Sequence, residues 1–382
     1  MRKTLIYISI SIILISTTLY SCAYYSVRKA TSTNPNVKRQ ELLARRTYLI
    51  ERIKEGAEPE QMPSFLPEQF RGEWALVTYS MTALALTNLA YLYPNTRKES
   101  LEITEKILQA VRTPAFRKFD TIIWKQDPLA PGAENYGHIG YLGHLNLILS
   151  AYAYLGGKKE KYHRLYSRIS QGFRKNLKNS PIGNMLTYPG EVYIPDNIVA
   201  IASLALYERF TGNISRMPEK WLRENQNKYA DATSGLLPFR ISSSGQLVQG
   251  GRGSGAGWNI FFLYYINPKE AEKEYSRFKK YYLQDFYFGM QGFREWPHGN
   301  ESGGDVDSGP LLFGFSPAGT GFGVAGAYFS RDTATLKSVL LSIEMIGTSF
   351  EWNGKRRYLL APLVGDAAIL AMRTTSQWNK TK

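Results

Sequence analysis

Thiols are almost absent from the 382-residue chain, whose one cysteine, Cys22, lies close to the N-terminus. Beyond that position disulfides, thiolate metal sites and thiol catalysis are excluded together. Histidine is scarce as well, with four residues, so each imidazole has to be weighed singly. Acidic residues are outnumbered 47 to 32 by basic ones, a formal charge of +15 that suits an acidic partner such as a nucleic acid, an anionic lipid surface or an acidic glycan. The basic residues are dispersed over outer faces, as in Lys158, Lys159, Lys161, Arg164 and Arg168 or Lys273, Arg277, Lys279 and Lys280, and no nucleic-acid motif accompanies them. They read as a solvated basic surface, for which lipid or envelope polymer is a better counter-ion than nucleic acid. P-loop, HExxH and GxSxG patterns are missing. Gly321-Phe-Gly323-Val-Ala-Gly326 matches GxGxxG but has no strand before it, so it reads as close helix packing and no dinucleotide is expected. Alternating strand patterns are confined to short pieces around 236–248.

What is present starts with Arg2 and Lys3 ahead of an apolar span over 5–20, the order of a secretory signal or membrane anchor. Leu19-Tyr20-Ser21-Cys22 resembles a bacterial lipobox, which would make Cys22 the lipidation site, although Tyr20 is bulky for that motif. The alternative is an uncleaved transmembrane helix. Both readings expect an exported protein held at a membrane of the cell envelope. Residues 1–22 are thus a signal or anchor, 23–67 a spacer with a helix over 37–55 and a connector containing Pro59, Pro63 and Pro67, and 68–382 the main domain.

Over 68–382 a rhythm sets in. Apolar helices near 74–92, 140–155, 197–210, 257–266, 310–329 and 361–373 alternate with charged amphipathic ones near 97–111, 158–177, 218–229, 268–285 and 332–346. Helices that are apolar all round belong inside and striped ones outside. This predicts an all-α fold, an (α/α)6-type toroid of helical hairpins. Gly-rich polar loops over 187–197, 248–258, 294–310 and 360–366 lead into inner helices, and in a toroid such loops gather at one end. They bring Glu191, Asp196, Arg252, Trp258, Trp296, His298, Glu301, Asp305 and Asp307 toward one cup, where helix N-termini favour negative charge.

The stretch 134–155, ENYGHIGYLGHLNLILSAYAYL, puts two histidines at the head of a buried helix. His144 shares a helical face with Tyr141, and Glu134 and His138 precede them. His144 is either a core histidine with a structural partner or an acid–base group. Glu191, between Tyr188 and Tyr193, is expected to have its carboxyl pushed up toward a general acid. Asp196 and Asp307 have the rival reading of helix N-caps, Asp307 ahead of a helix opening at Pro310. Asp305-Val-Asp307 is too sparse a carboxylate set to predict a metal.

Glu134-Asn135, Gly143-His144-Leu145-Asn146-Leu147, Pro195-Asp196-Asn197 and Tyr207-Glu208-Arg209-Phe210 together resemble the linalool dehydratase/isomerase family, with weaker likeness over 74–282. The resemblance implies an α/α barrel with an acid–base cup and carries the family histidine onto His144. Two family cysteines have no match: Thr187 or Gly190 lies near the first position and Asp196 near the second. The family's N-terminal catalytic aspartate has no counterpart that the sequence places.

The leading expectation is a membrane-anchored, metal-independent dehydratase/isomerase-like enzyme on an alcohol or sugar. His144 and Glu191 form the acid–base pair and Asp196 or Asp307 orients; Tyr141, Glu134, His138, Tyr188, Arg252, Trp258, Trp296, His298 and Asp305 contact substrate. The alternatives are a glycoside hydrolase or polysaccharide lyase on an envelope glycan, with Arg252 holding a substrate carboxylate, and a non-catalytic glycan- or lipid-binding lipoprotein.

Overall fold

The computed structural model describes residues 2–64, 66–300 and 302–377, so Glu301 lies outside the described residues. Fourteen α-helices are described: α1 (Arg2–Ala30), α2 (Pro35–Glu55), α3 (Glu68–Leu92), α4 (Arg97–Val111), α5 (Pro114–Trp124), α6 (Ile139–Leu155), α7 (Glu160–Asn179), α8 (Ile194–Thr211), α9 (Met217–Tyr229), α10 (Gly253–Ile266), α11 (Pro268–Tyr282), α12 (Pro317–Phe329), α13 (Thr333–Gly347) and α14 (Leu363–Arg373). Seven short strands join them: β1 (Glu191–Tyr193), β2 (Arg240–Ser242), β3 (Leu247–Gln249), β4 (Leu283–Asp285), β5 (Gln291–Phe293), β6 (Ser349–Trp352) and β7 (Lys355–Tyr358). They form one three-stranded antiparallel sheet, β1-β2-β3, and two hairpins.

Helices α3, α6, α8, α10, α12 and α14 each pack on the next, and α14 closes on α3, giving a six-membered inner ring. Each is apolar on nearly every face, so only a position surrounded by other helices removes all that surface from water. The striped helices α4, α7, α9, α11 and α13 lie outside. The expected toroid is the observed fold. Local chemistry fixes the helix starts: Asn34, Asn267 and Ser316 cap α2, α11 and α12 ahead of a proline in the first turn, and Asp332 caps α13.

Helix α2, read from sequence as a lead-in segment, packs against α14, α3, α4 and β7 as the outer partner of α14. Its buried face sets the charged Glu41, Arg45 and Arg46 among Leu42, Leu49, Ile50 and Ile53. Glu41 accepts from Arg45 Nε at 2.6 Å and from Arg373 Nη2 at 2.7 Å, while Arg45 Nη2 donates to Glu344 at 2.7 Å. Ser26 of α1 donates to Glu344 at 2.5 Å and accepts from Arg356. The three guanidiniums hold the Glu41 carboxyl far below the ordinary carboxylate range against the opposing effect of burial. This network joins α1, α2, α13, α14 and the β6-β7 hairpin.

The glycine-rich pattern in α12 is a packing device, as expected. A Cβ at Gly323 would sit 2.4 Å from the Phe293 ring, one at Gly326 2.2 Å from the Tyr275 ring, and one at Gly257 of α10 2.8 Å from Phe322 Cβ. Only a missing side chain allows these helices to approach so closely.

Candidate active site

Five of the inner helices are buried along their middles and open to water within their first two turns, and α3 also opens at Trp74 and Val77 beyond its first turn. Half-buried positions there are Glu73, Trp74 and Val77 on α3, Gly140 on α6, Pro195 and Asp196 on α8, Trp258 on α10, Ala318 and Phe322 on α12, and Leu363 to Gly365 on α14. They outline a cup at the N-terminal end of the ring, the end where the long loops lie.

Its chemistry is that of carboxyls. Glu73 accepts hydrogen bonds from the Tyr188 hydroxyl and, at 3.0 Å, from Gln69 Nε2, both on Oε1. The Glu73 carboxyl is pushed up to about 7 by its enclosure in protein, with the hydrogen bonds opposing and the charges of Asp307 and Asp120 adding to the rise. Asp196, in the first turn of α8, is pushed up to about 7, first by enclosure and then by the charge of Glu73. Asp307 is pushed up to about 6 by enclosure and by the charge of Asp305, against the pull of Arg252. Glu73 and Asp196 are half-buried and Asp307 is exposed, so all three keep contact with water although protein crowds them.

Neither aspartate is a helix cap. Tyr193 occupies the N-cap position of α8. Helix α12 opens at Pro317 under a Ser316 cap, seven residues later than the start read at Pro310, because the segment before it folds into turns headed by Asp305.

His144 takes the structural role. It is 4% exposed, its Nδ1 lies 2.7 Å from Ser80 Oγ on α3, and burial alone pushes its imidazole down to about 4. At neutral pH it is uncharged. Trp258 covers it, ring centroids 6.0 Å apart, and donates from Nε1 to Pro195 O at 3.2 Å, which ties α10 to the start of α8. Glu191 is partly exposed on β1, 3.9 Å from Arg240 Nη1. Among the described residues no hydrogen bond links it to His144, so the expected His144–Glu191 pair is not assembled.

Several expected substrate contacts are committed elsewhere. Tyr141 is fully buried and donates to Val111 O at 2.9 Å. His138 is buried at 2.5 Å from Asp120 and stacks on Trp124, on the α5 side of the ring. Glu134 is buried beside α7, 3.8 Å from Arg168 Nε. Arg252, buried among Phe239 and Trp296, gives its two Nη atoms to Asp305 at 2.6 Å each and its Nε to Glu295. Its fork is therefore filled by the protein itself, and Asp305 is spent on it and on the Asp307 and Ser308 amides. Trp296 donates to Gly303 O, and His298 is exposed with Nε2 3.3 Å from Leu283 O. Of the expected contacts, Tyr188 and Trp258 face the cup.

Glu73 is the residue that sequence reasoning missed. Its one signal is a carboxylate standing alone at the head of an otherwise apolar run, Glu73-Trp-Ala-Leu-Val.

No family model matches the chain. Solved structures share the fold. A glycosyl hydrolase of family 88 from Bacteroides vulgatus aligns with a TM-score of 0.53 at 13% identity over 88% of this chain and 98% of its own. A family 105 glycoside hydrolase from C. acetobutylicum gives 0.52 at 15% identity over 77% and 92%. An α-1,6-mannanase, GH76A, from Salegentibacter sp. HEL1_6 gives 0.51 at 11% identity over 88% and 98%. The chain has the α/α-toroid fold of these glycosidases, and the likeness does not single out the linalool dehydratase/isomerase line.

Proposed function

We propose that the protein is a glycan-active enzyme, a glycoside hydrolase of the α/α-toroid type working with carboxyls alone. The observation that carries this reading is the cluster of Glu73, Asp196 and Asp307, whose carboxyls are raised to about 7, 7 and 6 in one water-accessible cup. A carboxyl that keeps its proton near neutral pH donates it to a glycosidic oxygen, and a neighbour that ionises earlier serves as base or nucleophile at the anomeric carbon. Asp307 ionises first of the three and takes the second role. Glu73 takes the first: with Oε1 held by Tyr188 and Gln69, its proton sits on Oε2. Asp196, bonded toward Thr187 and itself raised by the charge of Glu73, receives a substrate hydroxyl. Trp258 and Tyr188 supply the ring faces on which a sugar packs.

This reading does not use the expected His144–Glu191 pair: among the described residues no hydrogen bond joins the two, and His144 bonds Ser80 instead. The test is to incubate the protein with a panel of envelope glycans and follow new reducing ends beside E73Q and D307N. Release by the wild type that falls about a hundredfold to ten-thousandfold in both variants is expected. Unsaturated products would assign a lyase instead, and tight binding without turnover would assign a binding protein.

A further inference from the structure

Helix α1 fixes which side of the toroid faces a membrane. Paired helices in the ring run in opposite directions, so outer helices end where inner helices begin, at the cup. Glu344, in the last turn of the outer helix α13, meets Ser26 of α1. Six residues earlier on α1, the Tyr20 hydroxyl donates to Phe288 O at 3.0 Å, in the loop between β4 and β5 at the cup end. Going the other way, α1 ends at Ala30 and α2 starts at Pro35, near the opposite end, where Arg39 donates to Asn95 beyond the C-terminus of α3 and Lys38 lies over Tyr328 near that of α12. The segment before Tyr20 therefore projects past the cup end. It is apolar and exposed, with Ile8, Ile10, Ile12, Ile13, Leu14 and Ile15 each about half or more open to water. At about 1.5 Å per residue the sixteen residues of the apolar span 5–20 reach about 24 Å, most of the way through a bilayer core of about 30 Å.

Where α1 leaves the domain, three aromatic side chains stand outward: Tyr287 at 73% exposure, Phe288 at 77% and Phe313 at 78%. Phe288 stacks edge-on against Tyr20, centroids 6.2 Å apart, and Phe286 joins the two turns by packing 5.7 Å from Phe313. Phe288 and Phe313 both have left-handed backbones, φ +59° and +53°, a conformation that costs a bulky residue backbone strain. The fold sustains that cost to hold two apolar rings in the open. Aromatic rings at the point where an apolar helix exits a domain have the arrangement of a membrane-interface belt, and the net charge of +15 favours an anionic surface.

We propose that the cup end of the toroid docks on the bilayer entered by α1, with Tyr287, Phe288 and Phe313 inserted in its interface. The same segment that carries Phe313 carries Asp307, so the cup mouth borders the lipid surface and takes a glycan presented there. This second part rests on the glycan reading; the docking does not.

The test uses the full chain with Cys22→Ser, carrying a spin label at Phe288→Cys, Phe313→Cys or, as control, Thr211→Cys at the far end of α8, reconstituted in vesicles containing anionic lipid. Labels at 288 and 313 should be relaxed by oxygen in preference to a water-soluble nickel complex, and the label at 211 should show the reverse. Water-phase behaviour at 288 and 313 overturns the docking. A Tyr287→Ser/Phe288→Ser/Phe313→Ser variant should lose about tenfold or more of the turnover of membrane-borne glycan and keep its turnover of soluble oligosaccharide. Equal turnover of both relative to wild type overturns the presentation of substrate at the membrane. A wild type that is idle on both substrates refutes the glycan reading and leaves the spin-label result to decide the docking.

Discussion

Glu73 and Asp196 tie the stability of the protein to its chemistry. Their ordinary carboxyl values, 4.5 and 3.8, rise to about 7 in the folded state. Between those limits the unfolded chain ionises first while the folded protein keeps its protons, so stability falls as pH rises through the window and levels off above about 7. E73Q and D196N remove that fall. Each variant is expected to melt above the wild type on the alkaline side of the window and together with it near the acidic limit, which thermal melts across pH will check. The same carboxyls predict a bell-shaped turnover profile. The acidic limb follows ionisation of Asp307 near 6 and the alkaline limb loss of the Glu73 proton near 7, and D307N should abolish the acidic limb.

At the scale of elements, the ring is held by apolar packing and by one buried ionic network. Replacing Glu41 with alanine would take both carboxylate contacts from Arg373, which is nearly fully buried, and one from Arg45, which keeps Glu344; it is expected to cost about 3–5 kcal/mol, measurable by urea unfolding. Gly257→Ala should cost about 1–3 kcal/mol, since its Cβ would meet Phe322 and the backbone of Gly323. The helical rhythm was legible because inner and outer helices differ in hydrophobic periodicity, and every inner helix lies where that difference places it. The membership of α2 in the ring was hidden, because its buried face includes Glu41, Arg45 and Arg46, which look solvent-facing in a sequence and break up its apolar stripe. Helix α5 went unread because its eleven residues stand outside the alternation. In the site, Asp196, Asp307, Tyr188 and Trp258 could be found from the loops that precede inner helices. Glu73 lies inside a helix, and only the closure of the ring carries it to the others. His144 misled because its polar partner, Ser80, is 64 residues away in the chain and invisible to local spacing.

The whole molecule is a toroid with its carboxyl cup at one end and its apolar N-terminal helix leaving from that same end. A lipid on Cys22, two residues along α1 from Tyr20, would hold a bilayer at the same level as a spanning helix. With the proposed docking, both anchors would leave the cup beside the lipid surface, and the substrate proposed on that placement is a glycan carried at a membrane.

The most direct test of the account is mass spectrometry of the products formed from membrane-borne glycan in heavy-oxygen water. The account predicts that one heavy oxygen enters each new reducing end and that E73Q abolishes the signal. Products free of the label, which mean elimination, or no products from any glycan offered, would contradict it.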